Sequence, residues 1–257
     1  MPLFDLLESR AGVPGEALTA SAPDVETKTE LNPTFWLILL ITLLPIPVIW
    51  YGMNFVKNAV ATYAMYHYLC CLPAVVWGFK LWRPKVVMPS ILQIVAVLVA
   101  SVLFTIGSVF AYTSYGDTVL SSRHAMDMLN EFGYSKELVV PLSFYIIIIN
   151  PTIEELFWRG VILEKLDSYK PGFKHFGIVW SSIFYGALHY PILQQIMYPG
   201  WAEFGAASVG FFGVILALMY EKTNSIVIPI LVHALITDLA FVVLMFTMFK
   251  RLHVPGW

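Results

Sequence analysis

Long apolar runs separated by short polar connections organise this chain. Seven are recognisable: Thr34 to Val56, Ala59 to Phe79, Met88 to Tyr112, Leu138 to about Glu164, about Phe173 to Leu193, Phe204 to Tyr220, and Ser225 to about Phe249. A helix crossing a hydrocarbon layer needs about 20 mainly apolar residues, since each adds ~1.5 Å to a ~30 Å path. The pattern predicts an all-α, polytopic transmembrane helical bundle of about seven spans, with a polar site inside the bundle. A kinked run or the segment 190–203 would raise the total to eight. Pro45 and Pro47 predict a kink in the first span. Residues 113–137 read as a polar loop, and Tyr190-Pro191 as the end of regular helix. No internal repeat is visible. The expected organisation is a polar acidic arm over 1–33, one membrane domain over 34–249 with its motif core at 138–245, and a short tail over 250–257.

Composition sharpens this picture. The chain is 58% hydrophobic and 12% charged, whereas roughly a quarter of an ordinary soluble domain is charged. A net charge of -2 provides no basic surface for phosphate backbones, which argues against nucleic acid as a partner. The arm carries Asp5, Glu8, Glu16, Asp24, Glu26 and Glu30 against Arg10 and Lys28, unlike the cationic start of a secretory signal. Cys70 and Cys71, adjacent in an apolar run, read as small buried hydrophobes. Lys80, Arg83, Lys85, Lys165, Lys170, Lys174 and Lys222 fall on the side of the N-terminus, favouring a multi-pass protein whose N-terminus is cytoplasmic. Lys250 and Arg251 speak against that orientation.

Charge in the fourth span changes the picture again. Each ionised side chain at mid-bilayer costs ~2.5 to 3.5 kcal/mol on translocon scales, yet Glu154, Glu155 and Arg159 share one helix. Glu155 and Arg159, four apart, lie on one face and can pair. Glu154 points about 100° away and is left as a carboxylate able to act as a general base. Asn150-Pro151 suits a helix start, which would put Glu154 in the first turns of a half-helix. His189 and His233 are the next polar groups at depth. Glu154 precedes Lys165 by 11 residues, His189 follows Lys174 by 15 and His233 follows Lys222 by 11, all ~16 to 22 Å from one membrane face. A shared level favours function over scattered structural roles. His67, among Tyr63, Tyr66 and Tyr68, reads as structural or interfacial.

These residues resemble the CAAX-processing and bacteriocin-processing (CPBP, or Abi) membrane proteases, which include type II prenyl-protein endopeptidases. The Glu-Glu-x-x-x-Arg motif is matched by Glu154, Glu155 and Arg159, and the histidines of Phe-x-x-x-His and His-x-x-x-Asn/Asp by His189 and His233. Two positions depart: Tyr185 stands for the phenylalanine, and Thr237 for the Asn/Asp, with Asp238 one place later. The likeness covers roughly 138–245. It implies that Glu154 and His189 activate a water, that His233 stabilises the oxyanion, that Arg159 braces Glu155, and that Thr237 or Asp238 assists His233. The implied substrate is a membrane-associated protein or peptide in the lipid bilayer.

No cofactor is required on this reading. A zinc ion held by Glu154, His189 and His233 is the rival enzyme reading, although the His-Glu-x-x-His motif is absent. Ser181 and Ser182 have no base obviously at hand for a nucleophile. Outside catalysis, a membrane scaffold or immunity protein would keep the fold without chemistry, and a transporter is argued against by the lack of repeated halves.

Overall fold

The computed structural model describes residues 33–134, 136–169 and 175–252. The predicted arm up to residue 32, Lys170 and Lys174 of the orientation argument, and the tail beyond 252 lie outside the described residues.

Among the described residues, seven helices are long and apolar enough to cross a membrane, and this is an integral, multi-pass protein. They are α1 (Thr34–Val56), α2 (Ala59–Trp77), α3 (Ile91–Val119), α5 (Glu137–Tyr169), α6 (Phe176–Leu193), α7 (Trp201–Thr223) and α8 (Val227–Arg251). Helix α4 (Ser122–Glu131) is short and amphipathic. The expected polar loop over 113–137 is therefore helical for most of its length. α3 runs two turns further than its apolar composition suggested, and Ser121 then caps α4 by accepting from the His124 amide at 3.2 Å.

Backbone chemistry accounts for the connections. α1 bends at Leu44 before Pro45 and closes in a wide π turn (Gly52–Val56), which Lys57 ends in a left-handed conformation. Asn58 then caps α2 through its side-chain oxygen, 2.9 Å from the Ala61 amide. α6 continues through Pro191 to Leu193, contrary to the expected stop at Tyr190-Pro191. A proline one turn from a helix end forfeits a single interior bond, and the Gln194 amide still reaches the Tyr190 carbonyl at 3.0 Å.

Helix α5 occupies the centre. Trp158 to Leu163 are all buried, and Phe157, Trp158 and Ile162 pack with residues of α1, α2 and α6 in one cluster that includes Tyr185. α6 and α7 make the closest helix pair: a Cβ on Gly186 would lie 2.6 Å from the Ala206 carbonyl oxygen and 2.9 Å from the Gly210 Cα. Such contact is typical of membrane helices, which gain from backbone approach because lipid offers no hydrophobic driving force. A second cluster joins α4, α5 and α8 through Ala125, Met126, Val139, Met245, Met248 and Phe249.

Candidate active site

Three charged residues of α5 are removed from lipid and water alike. Glu154, Glu155 and Arg159 are 3%, 0% and 1% exposed, so their charges must be answered by neighbouring protein groups. Arg159 Nη1 donates to Glu155 Oε1 at 2.8 Å, the pair anticipated from their spacing. Its Nη2 donates to the Gly213 carbonyl of α7 at 3.0 Å, and its guanidinium lies 4.6 Å from the Tyr185 ring centre. A Cβ on Gly213 would stand 3.3 Å from Nη2, so the absent side chain makes room for that bond.

His233 enters from α8. Its Nδ1 lies 2.9 Å from Glu155 Oε1, so one carboxylate is held by two partners. Its Nε2 faces Tyr185 Oη at 3.2 Å, Asp238 Oδ1 at 3.4 Å and Glu154 Oε2 at 3.8 Å. The Tyr66 hydroxyl of α2 lies beside Glu154, and Glu154 Oε2 has no hydrogen-bond partner among the described residues. His189, half-buried on α6, directs Nδ1 to the Tyr185 carbonyl at 2.7 Å. That bond uses a protonated Nδ1 and leaves Nε2 with its lone pair. The imidazole in closest recorded contact with Glu154 is thus that of His233; His189 joins the cluster through Tyr185.

Tyr185 ties the two histidines together. Its carbonyl holds one, its hydroxyl meets the other and its ring lies beneath Arg159. A phenylalanine would supply the ring and the carbonyl but not the hydroxyl.

The helix around His233 resolves which of Thr237 and Asp238 stands beside its ring. Residues His233–Asp238 form a π turn. In an α-helix the fifth residue on is rotated well away, but the wider π turn returns it toward the starting face. Asp238 accordingly meets His233 Nε2, while the Thr237 hydroxyl donates to the His233 carbonyl at 2.7 Å. One extra residue is absorbed by one widened turn.

A second expectation is overturned at Asn150-Pro151. The span does not restart there: Tyr145–Ile149 form another π turn that runs directly into Asn150–Phe157, and Asn150 is itself helical. The wide turn accommodates the proline ring without breaking the helix. Glu154 therefore does not sit at a free helix start. Asn150 instead donates from Nδ2 to Asp238 Oδ2 at 3.1 Å. His67, expected as structural or interfacial, is fully buried, with Nδ1 2.6 Å from Tyr145 Oη. Asn150 and His67 were not singled out as site residues, and only their position against charged groups from other helices marks them.

Among the described residues no three His, Cys, Asp or Glu side chains are arranged to hold a metal ion. The set of Glu154, His189 and His233 is not gathered into such a group, and no step below passes through a metal. Ser181 bonds back to the Ile178 carbonyl at 3.3 Å, and no hydrogen bond links either serine of the pair to a histidine.

Residues 136–237 match the family model described as "Rce1-like: Type II CAAX prenyl endopeptidase Rce1-like". The match takes in Glu154, Glu155, Arg159, His189 and His233 and stops at Thr237, one residue before Asp238. No curated protein and no solved structure matches the chain.

Proposed function

We propose, from the premise that this chain belongs through residues 136–237 to the CPBP/CAAX protease family, that it is a glutamate-dependent endopeptidase cleaving a prenylated, membrane-associated protein near its C-terminus. The observation that carries the reading is the unequal treatment of two neighbouring carboxylates. Oε1 of Glu155 is committed to Arg159 and His233, whereas Glu154, equally buried, comes no nearer to a cationic group than 3.8 Å from His233 Nε2; Oε2 of each carboxylate is left without a hydrogen bond among the described residues.

Glu154 takes the proton of a water held between it and Nε2 of His189, and the water oxygen bonds to the scissile carbonyl carbon. The carbonyl π electrons move to oxygen. His233, braced at Nδ1 by Glu155, donates from Nε2 to that oxyanion, and the Tyr185 hydroxyl at 3.2 Å from Nε2 supplies a second donor. Collapse of the intermediate breaks the C–N bond, and Glu154 returns its proton to the departing amine. Asp238 supports His233 from the π turn. Exclusion of water strengthens each of these interactions.

The test uses the full chain in proteoliposomes and a fluorogenic farnesylated peptide ending in a CAAX sequence. Glu154→Ala lowers kcat by at least about 100-fold, the usual contribution of a general base, and purification in chelator leaves wild-type turnover intact. Cleavage at wild-type rate by Glu154→Ala removes the proposed mechanism. Wild-type biological activity in that variant without any peptide cleavage favours the scaffold.

A further inference from the structure

A line of polar side chains, half-buried Tyr145 of α5, His67 of α2 and Asn150 of α5, leads to Asp238 at the edge of the site, and these three take no part in the steps above. It begins at Tyr145, whose hydroxyl lies 2.6 Å from His67 Nδ1. A phenol ordinarily donates its proton, so Nδ1 accepts and the ring proton sits on Nε2. His67 Nε2 is buried with no close hydrogen-bond partner, and the nearby side chain is the Asn150 amide. Asn150 spends its Nδ2 on Asp238 Oδ2, at 3.1 Å. Its carbonyl end is then the part available to a donor from His67. Asp238 places its other oxygen 3.4 Å from His233 Nε2.

Two bonds of this line are formed, tyrosine to histidine and asparagine to aspartate, with His233 on the far oxygen of Asp238; between them His67 Nε2 and the Asn150 carbonyl stand as donor and acceptor without a hydrogen bond in this structure. His67, Tyr145 and Asp238 each lie in a π turn, respectively Met65–Cys71, Tyr145–Ile149 and His233–Asp238, and Asn150 directly follows the second. Such turns cost regular hydrogen bonding and are found preferentially where a side chain must be re-aimed. Apolar packing alone would not need three of them around one polar line.

We infer that His67 and Asn150 are positioning residues for the hydrolysis: they hold the Asp238 carboxylate in the rotamer that meets His233, and so aim His233 Nε2 at the reacting carbonyl. His67 lies far outside the matched segment 136–237, so the role belongs to this chain's own second helix. The inference rests on the proposed role of His233.

His67→Phe and Asn150→Leu keep shape and burial while removing the polar link. In the proteoliposome assay with the farnesylated peptide, each lowers kcat about 10- to 100-fold, as expected when a reacting group is slightly misaimed, with KM within twofold of wild type. His67→Gln, whose amide can donate to Asn150, restores most of the loss. His67→Phe adds nothing in an Asp238→Ala background. Wild-type kcat in both single variants, alongside an inactive Glu154→Ala, overturns the relay and leaves the protease reading intact. A rise in KM with matching loss of thermal stability and no rescue by glutamine reduces His67 to packing and also overturns it. Full turnover by Glu154→Ala fails the hydrolytic reading itself, and the relay with it. Ring 15N spectra of the wild-type protein in nanodiscs give a readout independent of substrate. They show His67 as the Nε2–H tautomer, with that preference lost in Asn150→Leu; an Nδ1–H tautomer in the wild type overturns the inference.

Discussion

Helices α3 and α5 are both long, 29 and 33 residues, yet only 6% of the hydrophobic stretch of α3 is buried against 39% for α5. α3 offers Ile91, Leu92, Val99, Val102, Leu103 and Ile106 to the surroundings, all strongly exposed. In a bilayer those side chains meet acyl chains as apolar as themselves, so α3 needs few protein contacts. Its polar ties to α8 include a hydrogen bond from buried Ser101 to the Leu235 carbonyl and an ion pair of Asp117 with Arg251 at 2.6 Å near the helix end. α5 could not survive such a position. Its buried Glu154, Glu155 and Arg159 require α6, α7 and α8 around them, and that enclosure creates the polar cluster. The helix with buried charge dictates the packing, and the one whose apolar stretch is exposed is hung on the outside.

This contrast is open to direct attack. The largest effect is expected at Arg159. Arg159→Leu strips Glu155 of its guanidinium and leaves a buried carboxylate, a change that ordinarily costs about 3 to 5 kcal/mol. Thermal unfolding in detergent should show it as loss of most folded protein, with Glu155→Leu/Arg159→Leu recovering stability but not activity. An unaltered melting curve for the single variant would mean that the ion pair does not hold the centre together.

Next in size is Tyr185→Phe. The phenylalanine keeps the ring under Arg159 and the carbonyl that holds His189, so stability should change by no more than about 1 kcal/mol. Turnover should fall about tenfold, equivalent to ~1.4 kcal/mol of transition-state stabilisation. Equal kcat in the two proteins would restrict the donor role to His233.

The smallest effect belongs to α3. Leu103→Ala, at a side chain 65% exposed, should move stability by less than about 0.5 kcal/mol and leave turnover unchanged. A larger loss in nanodiscs would indicate that this face is covered by protein.

Particular residues show how far sequence reasoning reaches. The seven spans were legible because apolar length is dictated by bilayer thickness, and the Glu155–Arg159 pair because both members lie on one regular helix. Asp238 was harder to read: α-helical geometry puts it about 100° past Thr237, and nothing local announces a π turn. Asn150-Pro151 carried a genuine helix-start signal, which the widened turn before it overrode. His67 read as structural or interfacial because tyrosines flank it, and its burial depends on α5 lying against α2.

By itself the sequence determined an all-helical membrane bundle and the family resemblance of the Glu-Glu-x-x-x-Arg segment. These follow from length, spacing and residue type along single helices. Only the tertiary structure decided which carboxylate is committed, that His233 and not His189 approaches Glu154, that Asp238 and not Thr237 faces the imidazole, and that α2 contributes His67. Each of those outcomes depends on the relative rotation of two helices distant in sequence, and one widened turn changes that rotation without leaving a mark in the hydrophobic pattern.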